Sequence, residues 1–154
     1  MLRLIPPPAH RAGLRLAHAV RKRWWQVRRP HLNGCRVVAI DAGARVLLIR
    51  HSYGSGKWML PGGGLKPGED AIAAALRELR EEAGCGLVDA RIVAVTEDFA
   101  HGAPNRVHVI AGLVHGEVRA DGREIIEAAF FALDALPEAM AAGLGERLAD
   151  WVHS

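Results

Sequence analysis

Three glutamates near the middle of the chain are spaced to share one face of a helix. Glu78, Glu81 and Glu82 stand at positions i, i+3 and i+4, and residues three or four apart are neighbours on a helix surface. Carboxylates this close repel one another, and only Arg77 and Arg80 offer positive charge nearby. Clustered hard oxygen ligands suit Mg²⁺ or Mn²⁺. By itself, the cluster indicates either a divalent metal site or an acidic face in contact with solvent.

The helix that carries these glutamates has recognisable ends. Pro67-Gly68 is a turn pair that precedes it. Glu69 and Asp70 place negative charge at the predicted start, and Gly84 follows the last turn, where a left-handed stop is expected. The residues between are rich in alanine and leucine, which are strong helix formers. The apolar stripe predicted to face the core consists of Ile72, Leu76, Leu79 and Ala83.

The spacing of glycines and charged residues over positions 63–85 resembles the Nudix box of the Nudix hydrolases. Gly63 is followed after five residues by Glu69, and after seven more by Arg77-Glu78-Leu79-Arg80-Glu81-Glu82-Ala83-Gly84-Cys85. Every charged and glycine position of the box matches. Cys85 stands where the box has an aliphatic residue, and cysteine is often a small buried apolar residue. The preceding Trp58-Met59-Leu60-Pro61-Gly62-Gly63 also resembles the family, and a looser resemblance extends over residues 35–137.

This resemblance implies an enzyme that cleaves a nucleoside diphosphate linked to another group. Water would attack one phosphorus of the pyrophosphate, with Mg²⁺ or Mn²⁺ as the cofactor. The metal ligands that the resemblance implies are the Gly62 carbonyl and the carboxylates of Glu78, Glu81 and Glu82. The residues that it implies support the box are Gly63, Glu69 and Gly84.

The resemblance also implies catalytic residues. Glu78 and Glu81 are catalytic candidates within the box, and Arg77 would orient the carboxylates through a salt bridge rather than being a plain surface charge. The general base of the family is either a box glutamate or a glutamate in a loop outside the box. Glu124 and Glu127 lie just before the last predicted strand, and for each a merely solvated carboxylate is the alternative. We favour Glu124, because a loop residue reaches the metals more freely.

Candidate substrate-binding residues surround the box in sequence. Aromatic side chains that could stack on a base are Tyr53, Trp58 and Phe99, and cations that could contact phosphate are Arg36, Arg50 and Lys57. The expected substrate is a nucleoside triphosphate or an ADP-ribose-like compound. Two alternatives are an RNA 5′-end pyrophosphohydrolase and a non-catalytic nucleotide sensor. No box glutamate is missing, which disfavours the sensor.

Other catalytic motifs are not found in the sequence. Gly56-Lys57 lacks the upstream glycine and the following Ser or Thr of a P-loop. The eight histidines show no zinc-binding spacing, and no GxSxG is present. His51, His101 and His108 could contact phosphate, although a structural role is the more common one for each.

Composition and charge limit the class of protein. A chain of 154 residues, half of them hydrophobic, predicts one globular domain. Two cysteines cannot form a disulfide framework and favour a reducing, cytoplasmic setting. No apolar stretch is long enough for a membrane span, and the N-terminus lacks a signal-like apolar region.

The basic residues are concentrated at the N-terminus. Residues 1–36 hold nine basic and no acidic residues, whereas the rest holds eleven basic and seventeen acidic residues and so carries a net charge of −6. We therefore predict a basic arm or helix over residues 1–32, helical over about 9–27, and a Nudix domain over 33–154. The arm could pack on the domain or on a second subunit in a homodimer, stay flexible, or touch acidic lipid or RNA. The acidic domain disfavours nucleic acid as the partner of the whole protein, and a nucleotide-type small molecule is expected.

The remaining patterns predict strands on both sides of the central helix. They cover residues 35–40, 45–50, 57–61, 87–96, 106–115 and 128–133, with polar loops at 97–105 and 116–123 and a second helix from about 138 to 152. This order fits an α/β fold with a mixed sheet between helices. It matches the α/β/α sandwich that the resemblance implies.

Overall fold

The computed structural model describes residues 13–14, 16–17, 32–100 and 103–154. The predicted N-terminal helix over residues 9–27 lies mostly outside these ranges, and Gly13, Leu14, Leu16 and Ala17 are helical. The strands are β1 (Leu32–Ile40), β2 (Val46–His51), β3 (Gly62–Gly64), β4 (Gly86–Ala100), β5 (Ala103–His115) and β6 (Ile125–Phe131). Two further helices are the central helix (Ala71–Ala83) and the C-terminal helix (Leu144–Val152). β1 begins at Leu32, one residue before the predicted start of the domain. The boundary between arm and domain stays a prediction.

The strands form one mixed sheet, as predicted. Their order is β4-β5-β1-β2-β6, and β3 pairs with β1 outside this path. β1 runs parallel to β5, from Leu32 opposite Asn105 to Ile40 opposite Leu113, and the other pairs are antiparallel. The short β3 pairs with the central strand β1, and residues 65–70 connect it to the carboxylate-bearing helix.

Apolar residues cover both faces of this sheet. Val37 and Val38 are successive residues of β1, and both are fully buried. Since successive side chains of a strand point to opposite faces, both faces of the sheet must be covered. Val37 packs in a cluster with Leu79 of the central helix, and Val38 packs in a second cluster with Leu148 of the C-terminal helix. The predicted α/β/α sandwich is confirmed. Among the described residues, no helix combines the length and apolar composition that a membrane crossing requires.

The ends of the central helix are those that the sequence predicts, but its buried face differs. The Asp70 carboxylate caps the helix by accepting hydrogen bonds from the Ile72 and Ala73 N–H groups, and Gly84 adopts a left-handed φ of 70°. Ile72 and Leu76 are only partly buried. The buried face is made instead of Ala71, Ala74, Ala75, Leu79, Glu82 and Ala83. Small alanines let the helix backbone approach the sheet. The buried face is rotated about the helix axis relative to the predicted stripe, and it therefore includes Glu82.

The predicted polar loop over residues 97–105 is wrong. β4 and β5 continue through it as an antiparallel hairpin in which Glu97 pairs with Arg106 and Ala100 pairs with Ala103. The side chains of Glu97 and Arg106 are mostly exposed and lie 3.3 Å apart. Opposite charges on a solvated strand pair are compatible with a sheet, so polarity here does not indicate a loop.

Two other strands lie at different residues from those predicted. The predicted strand at 128–133 is found at Ile125–Phe131, because Ile125 is fully buried and pairs with the end of β2. The predicted strand at 57–61 contributes only single bridges, from Trp58 and Met59. The strand lies instead at Gly62–Gly64, where β3 pairs with β1. Glycine is a poor strand former, but only glycine permits this close approach, because a Cβ at Gly62 would lie 2.1 Å from the Cys35 carbonyl oxygen.

Replacing Gly62 by alanine should therefore destabilise the fold. Gly62 has a φ of +151° and its position is closed by backbone rather than by a movable side chain. We expect Gly62→Ala to lower the free energy of unfolding by at least about 2 kcal/mol in urea titrations. Gly64→Ala is the matched control, since its nearest atom is 4.0 Å away, and it should change stability by less than about 1 kcal/mol. Equal effects of the two changes would contradict this explanation.

Candidate active site

Glu82 is a carboxylate buried at the junction of the central helix and β3. Its side chain is 6% exposed, and its Oε2 accepts a hydrogen bond of 2.9 Å from the Gly62 N–H. Burial raises the pKa of Glu82 to about 8, and the nearby charges of Glu78 and Glu124 act in the same direction, against the Gly62 N–H and Arg36. A buried anion among other anions is stabilised by an added positive charge.

Arg77 joins the carboxylates at the outer side of the box. Its Nε and Nη2 each lie 2.9 Å from a Glu69 oxygen, Nη1 donates to Glu78 Oε1 at 2.8 Å, and Nη2 also donates to the Gly64 carbonyl at 3.0 Å. These bonds hold the pKa of Glu69 at about 2 and raise the pKa of Arg77. Glu81 Oε2 lies 3.7 Å from Nη1. These are the contacts that the predicted orienting role requires.

Glu78 lies directly over the glycine backbone of β3. A Cβ at Gly63 would lie 2.5 Å from Glu78 Oε1, so glycine is needed there for the carboxylate to fit. Burial raises the pKa of Glu78, whereas the hydrogen bond from Arg77 opposes that shift. The Glu81 side chain is 60% exposed. Of the three box carboxylates predicted as ligands, two are therefore enclosed and Glu81 lies at the solvent edge.

The two predicted general bases have different surroundings. Glu124 Oε1 accepts a hydrogen bond of 3.0 Å from the Tyr53 hydroxyl, and its charge acts on both Glu78 and Glu82. The Glu127 side chain is half exposed and its carboxylate lies 2.9 Å from Arg50 Nη1. The charge of Glu124 thus acts on two box carboxylates, whereas Glu127 forms an ion pair with Arg50.

A polar cavity of about 570 Å³ lies beside this cluster. It is lined by residues 50–56 and Ile126. His51 connects the cavity to the box, because its Nε2 lies 3.8 Å from Glu82 Oε1 and its ring lies 4.9 Å from that of Tyr53. Two residues of the cavity wall thus contact the carboxylates: His51 lies near Glu82, and Tyr53 binds Glu124.

Three predicted substrate-binding residues have partners that bear on that role. Arg36 lies in β1 opposite Gly62, and its charge lowers the pKa of Glu82, so it lies near the box. Arg50 donates from Nε to the Gly56 carbonyl at 3.0 Å and lies 5.7 Å from the Trp58 ring centroid. Tyr53 lines the cavity and contacts Glu124.

Of the other three candidates, one packs on the hydrophobic core, one is exposed, and the side chain of the third lies outside the described residues. Trp58 packs edge to face on Phe131, with ring centroids 4.9 Å apart, in the layer of the C-terminal helix. Lys57 is exposed. Phe99 belongs to β4 opposite Pro104, and its side chain lies outside the described residues. Substrate contact by these residues stays a prediction.

The Tyr53–Glu124 hydrogen bond is the part of the site that sequence reasoning missed. These residues are 71 positions apart, and no local pattern relates them. The burial of Glu82, in contrast, had a signal in the sequence. Glu82 lies three residues after Leu79 and next to Ala83, both of which are on the buried face.

The donor groups suit a hard divalent cation. Within the described ranges, no three His, Cys, Asp or Glu side chains already converge closely enough to enclose a metal ion. Two enclosed carboxylates nevertheless lie against the glycine backbone of β3, Glu82 at Gly62 and Glu78 at Gly63, and burial raises the pKa of both. Carboxylate and backbone oxygens are the ligands that Mg²⁺ and Mn²⁺ prefer, so the residues present fit the implied ion.

Solved structures share this fold. A MutT Nudix hydrolase from Burkholderia pseudomallei matches 79% of this chain and 98% of its own with a TM-score of 0.70 and 28% identity. A MutT protein from Methanosarcina mazei matches 82% of this chain and 96% of its own with a TM-score of 0.71 and 24% identity. The family model for the NUDIX domain matches residues 30–152. This chain belongs to the Nudix family. The predicted family and fold are therefore confirmed.

Curated Nudix relatives carry the names of hydrolases. The NAD-capped RNA hydrolase NudC of Erwinia tasmaniensis is 30% identical over 123 residues, which are 79% of this chain and 45% of that protein. The RNA pyrophosphohydrolase of Klebsiella pneumoniae is 47% identical over 63 residues, which are 41% of this chain and 35% of that protein. The chain thus spans less than half the length of these relatives. Membership of a family of hydrolases is confirmed.

Arg77 should be sensitive to a change that keeps its charge. Lysine cannot reproduce a planar fork that binds Glu69, Glu78 and the Gly64 carbonyl together. We expect Arg77→Lys to lower the free energy of unfolding by about 2 kcal/mol. The matched control on the same helix is Arg80→Lys, whose exposed side chain should allow a change within about 0.5 kcal/mol. Urea unfolding of both variants tests this, and an Arg77→Lys protein as stable as the control would contradict it.

Proposed function

We propose that this Nudix protein hydrolyses a pyrophosphate bond in a nucleoside diphosphate linked to another group. The substrate is a nucleoside triphosphate or an ADP-ribose-like compound, and the cofactor is Mg²⁺ or Mn²⁺. The observation that carries the proposal is the enclosure of Glu78 and Glu82 beside Gly62 and Gly63. This arrangement leaves concentrated negative charge where the family binds its metal.

The proposed ligands are the box carboxylates Glu78, Glu81 and Glu82 with the Gly62 carbonyl. A divalent cation bound there would neutralise phosphate oxygens and lower the pKa of a bound water. Arg77 holds Glu78 by a hydrogen bond of 2.8 Å, and the Gly62 N–H holds Glu82. The protein thus fixes two of the proposed ligands, one through its neighbour on the helix and the other through β3, which is the preorganisation that catalysis needs.

Glu124 is the proposed general base. Its carboxylate would take a proton from the attacking water while the new oxygen–phosphorus bond forms and the bond to the bridging oxygen breaks. Its electrostatic contact with Glu78 and Glu82 supports this role. Glu127 is the second candidate, and its ion pair with Arg50 makes it the weaker one.

The cavity lined by residues 50–56 is the proposed site for part of the substrate beyond the reacting phosphates. It adjoins Glu82 through His51. Arg36 is the proposed phosphate contact, since its charge already acts on Glu82 from the neighbouring strand. Both cysteines are buried and unbridged, which supports the proposed cytoplasmic setting.

Glu82→Gln tests the reaction directly. We expect at least about a hundredfold loss of phosphate or nucleotide release from a panel of nucleoside diphosphate derivatives with Mg²⁺ or Mn²⁺. Without metal, the variant should unfold at the same or a higher temperature, because glutamine keeps an acceptor for the Gly62 N–H and replaces a carboxyl group whose charged form burial disfavours. Glu117→Gln, at an exposed position paired with Arg119, is the control and should keep full activity. An active Glu82→Gln variant, or a wild type inactive on the whole panel, would overturn the proposal.

RNA 5′ ends are a second candidate substrate. Two observations favour them: relatives are named as hydrolases of RNA, and residues 1–36 carry nine basic residues without an acid. Cationic residues that neutralise phosphates strengthen binding in a salt-dependent way. A homodimer through the same segment is the competing proposal for this arm.

Removing positive charges from the N-terminal arm distinguishes RNA from mononucleotides as the substrate. We expect the triple variant Arg21→Gln, Lys22→Gln and Arg23→Gln to weaken hydrolysis of 5′-triphosphorylated RNA and to flatten its salt dependence. Hydrolysis of mononucleotides should be unchanged. Kinetics at two salt concentrations measure both effects. Equal losses on RNA and mononucleotides would count against the RNA hypothesis, and a change in sedimentation would support the dimer.

A further inference from the structure

The loop that follows β2 is attached to Glu124 at two points. The Ser52 N–H donates to the Glu124 carbonyl at 2.8 Å, and the Tyr53 hydroxyl donates to the Glu124 carboxylate at 3.0 Å. One contact fixes the backbone of Glu124 and the other fixes its side chain. The position of this carboxylate therefore depends on the loop as well as on β6.

The loop itself is held in a defined shape. Arg50 Nε donates to the Gly56 carbonyl at 3.0 Å, so the two ends of the loop are joined. Gly54 and Gly56 have φ values of 73° and 67°, which favour glycine. The Tyr53 ring lies 4.9 Å from the ring of His51, which is buried. These contacts hold the Tyr53 ring, and with it the hydroxyl, in a defined position.

Glu124 needs such a support because its neighbours repel it. The Glu124 carboxylate binds the Tyr53 hydroxyl, the Tyr53 ring lies 4.9 Å from the His51 ring, and His51 Nε2 lies 3.8 Å from Glu82 Oε1. Glu124 is therefore linked to a box carboxylate through two side chains, and like charges drive a carboxylate on a flexible stem away. A neutral hydroxyl donor can hold the carboxylate near the box without introducing a cation that would compete with the metal ligands for their partners.

We propose that Tyr53 is a positioning residue that holds the Glu124 carboxylate for proton transfer from the attacking water. The inference rests on the proposed function, in which Glu124 is the general base. Tyr53 also forms part of the cavity wall, so its ring and its hydroxyl have separable tasks. The ring belongs to the cavity wall, and the hydroxyl acts only through Glu124.

A double-mutant cycle in the full-length protein tests this. Tyr53→Phe keeps the ring and removes the hydroxyl, so we expect kcat to fall about tenfold while KM changes by less than about twofold. Glu124→Gln should leave a measurable rate, because a general base contributes only part of the acceleration. In the Glu124→Gln background, the further change Tyr53→Phe should have no effect on kcat. The shift in unfolding temperature caused by Mg²⁺ should be the same in wild type and Tyr53→Phe.

The possible outcomes are distinguishable. An equal loss of kcat from Tyr53→Phe in both backgrounds means a general structural role and overturns the inference, as does an unchanged kcat. A loss of the Mg²⁺ shift would mean that Tyr53 supports the metal ligands, which also overturns it. An inactive wild type overturns the proposed function itself, whereas an active wild type with an unaffected Tyr53→Phe overturns the positioning role alone.

Discussion

The hydrogen bond from the Gly62 N–H to the Glu82 carboxylate joins the residue just before the Nudix box to the helix of the box. It spans 20 residues and connects β3 to the central helix at 2.9 Å. Two constraints hold the partners in place. Gly62 is pressed against Cys35 of β1, where no side chain fits, and Leu79 packs the helix in the core below the sheet. Glu82 is therefore held where the helix and β3 meet beside the hydrophobic core.

Positive charge is distributed unevenly over this cluster. Arg77 binds Glu69 and Glu78 through its fork, whereas Glu82 has a backbone N–H and the more distant Arg36. The most buried carboxylate of the box is thus held by a backbone N–H and lies 3.8 Å from His51, outside the Arg77 fork. Such an arrangement costs stability without a bound cation, and functional sites commonly accept that cost.

Local signals predicted the central helix, and non-local pairing decided what they missed. Asp70 and Gly84 end the helix by contacts within a few residues, so the sequence shows them. β3 consists of glycines with no strand preference, and it forms because β1 lies beside it. The polar residues after Thr96 form a strand because β5 pairs with them. Among the site residues, the box could be read from spacing, but the contact between Tyr53 and Glu124 depends on the whole sheet.

We propose that the enclosed box carboxylates form a divalent metal site. Crystals grown with Mn²⁺ and measured near the manganese absorption edge test it most directly. We expect an anomalous peak within bonding distance of oxygens from Glu78 and Glu82, about 2.1–2.3 Å. A peak at other residues only, or none at saturating Mn²⁺ in an ordered site, would contradict the claim.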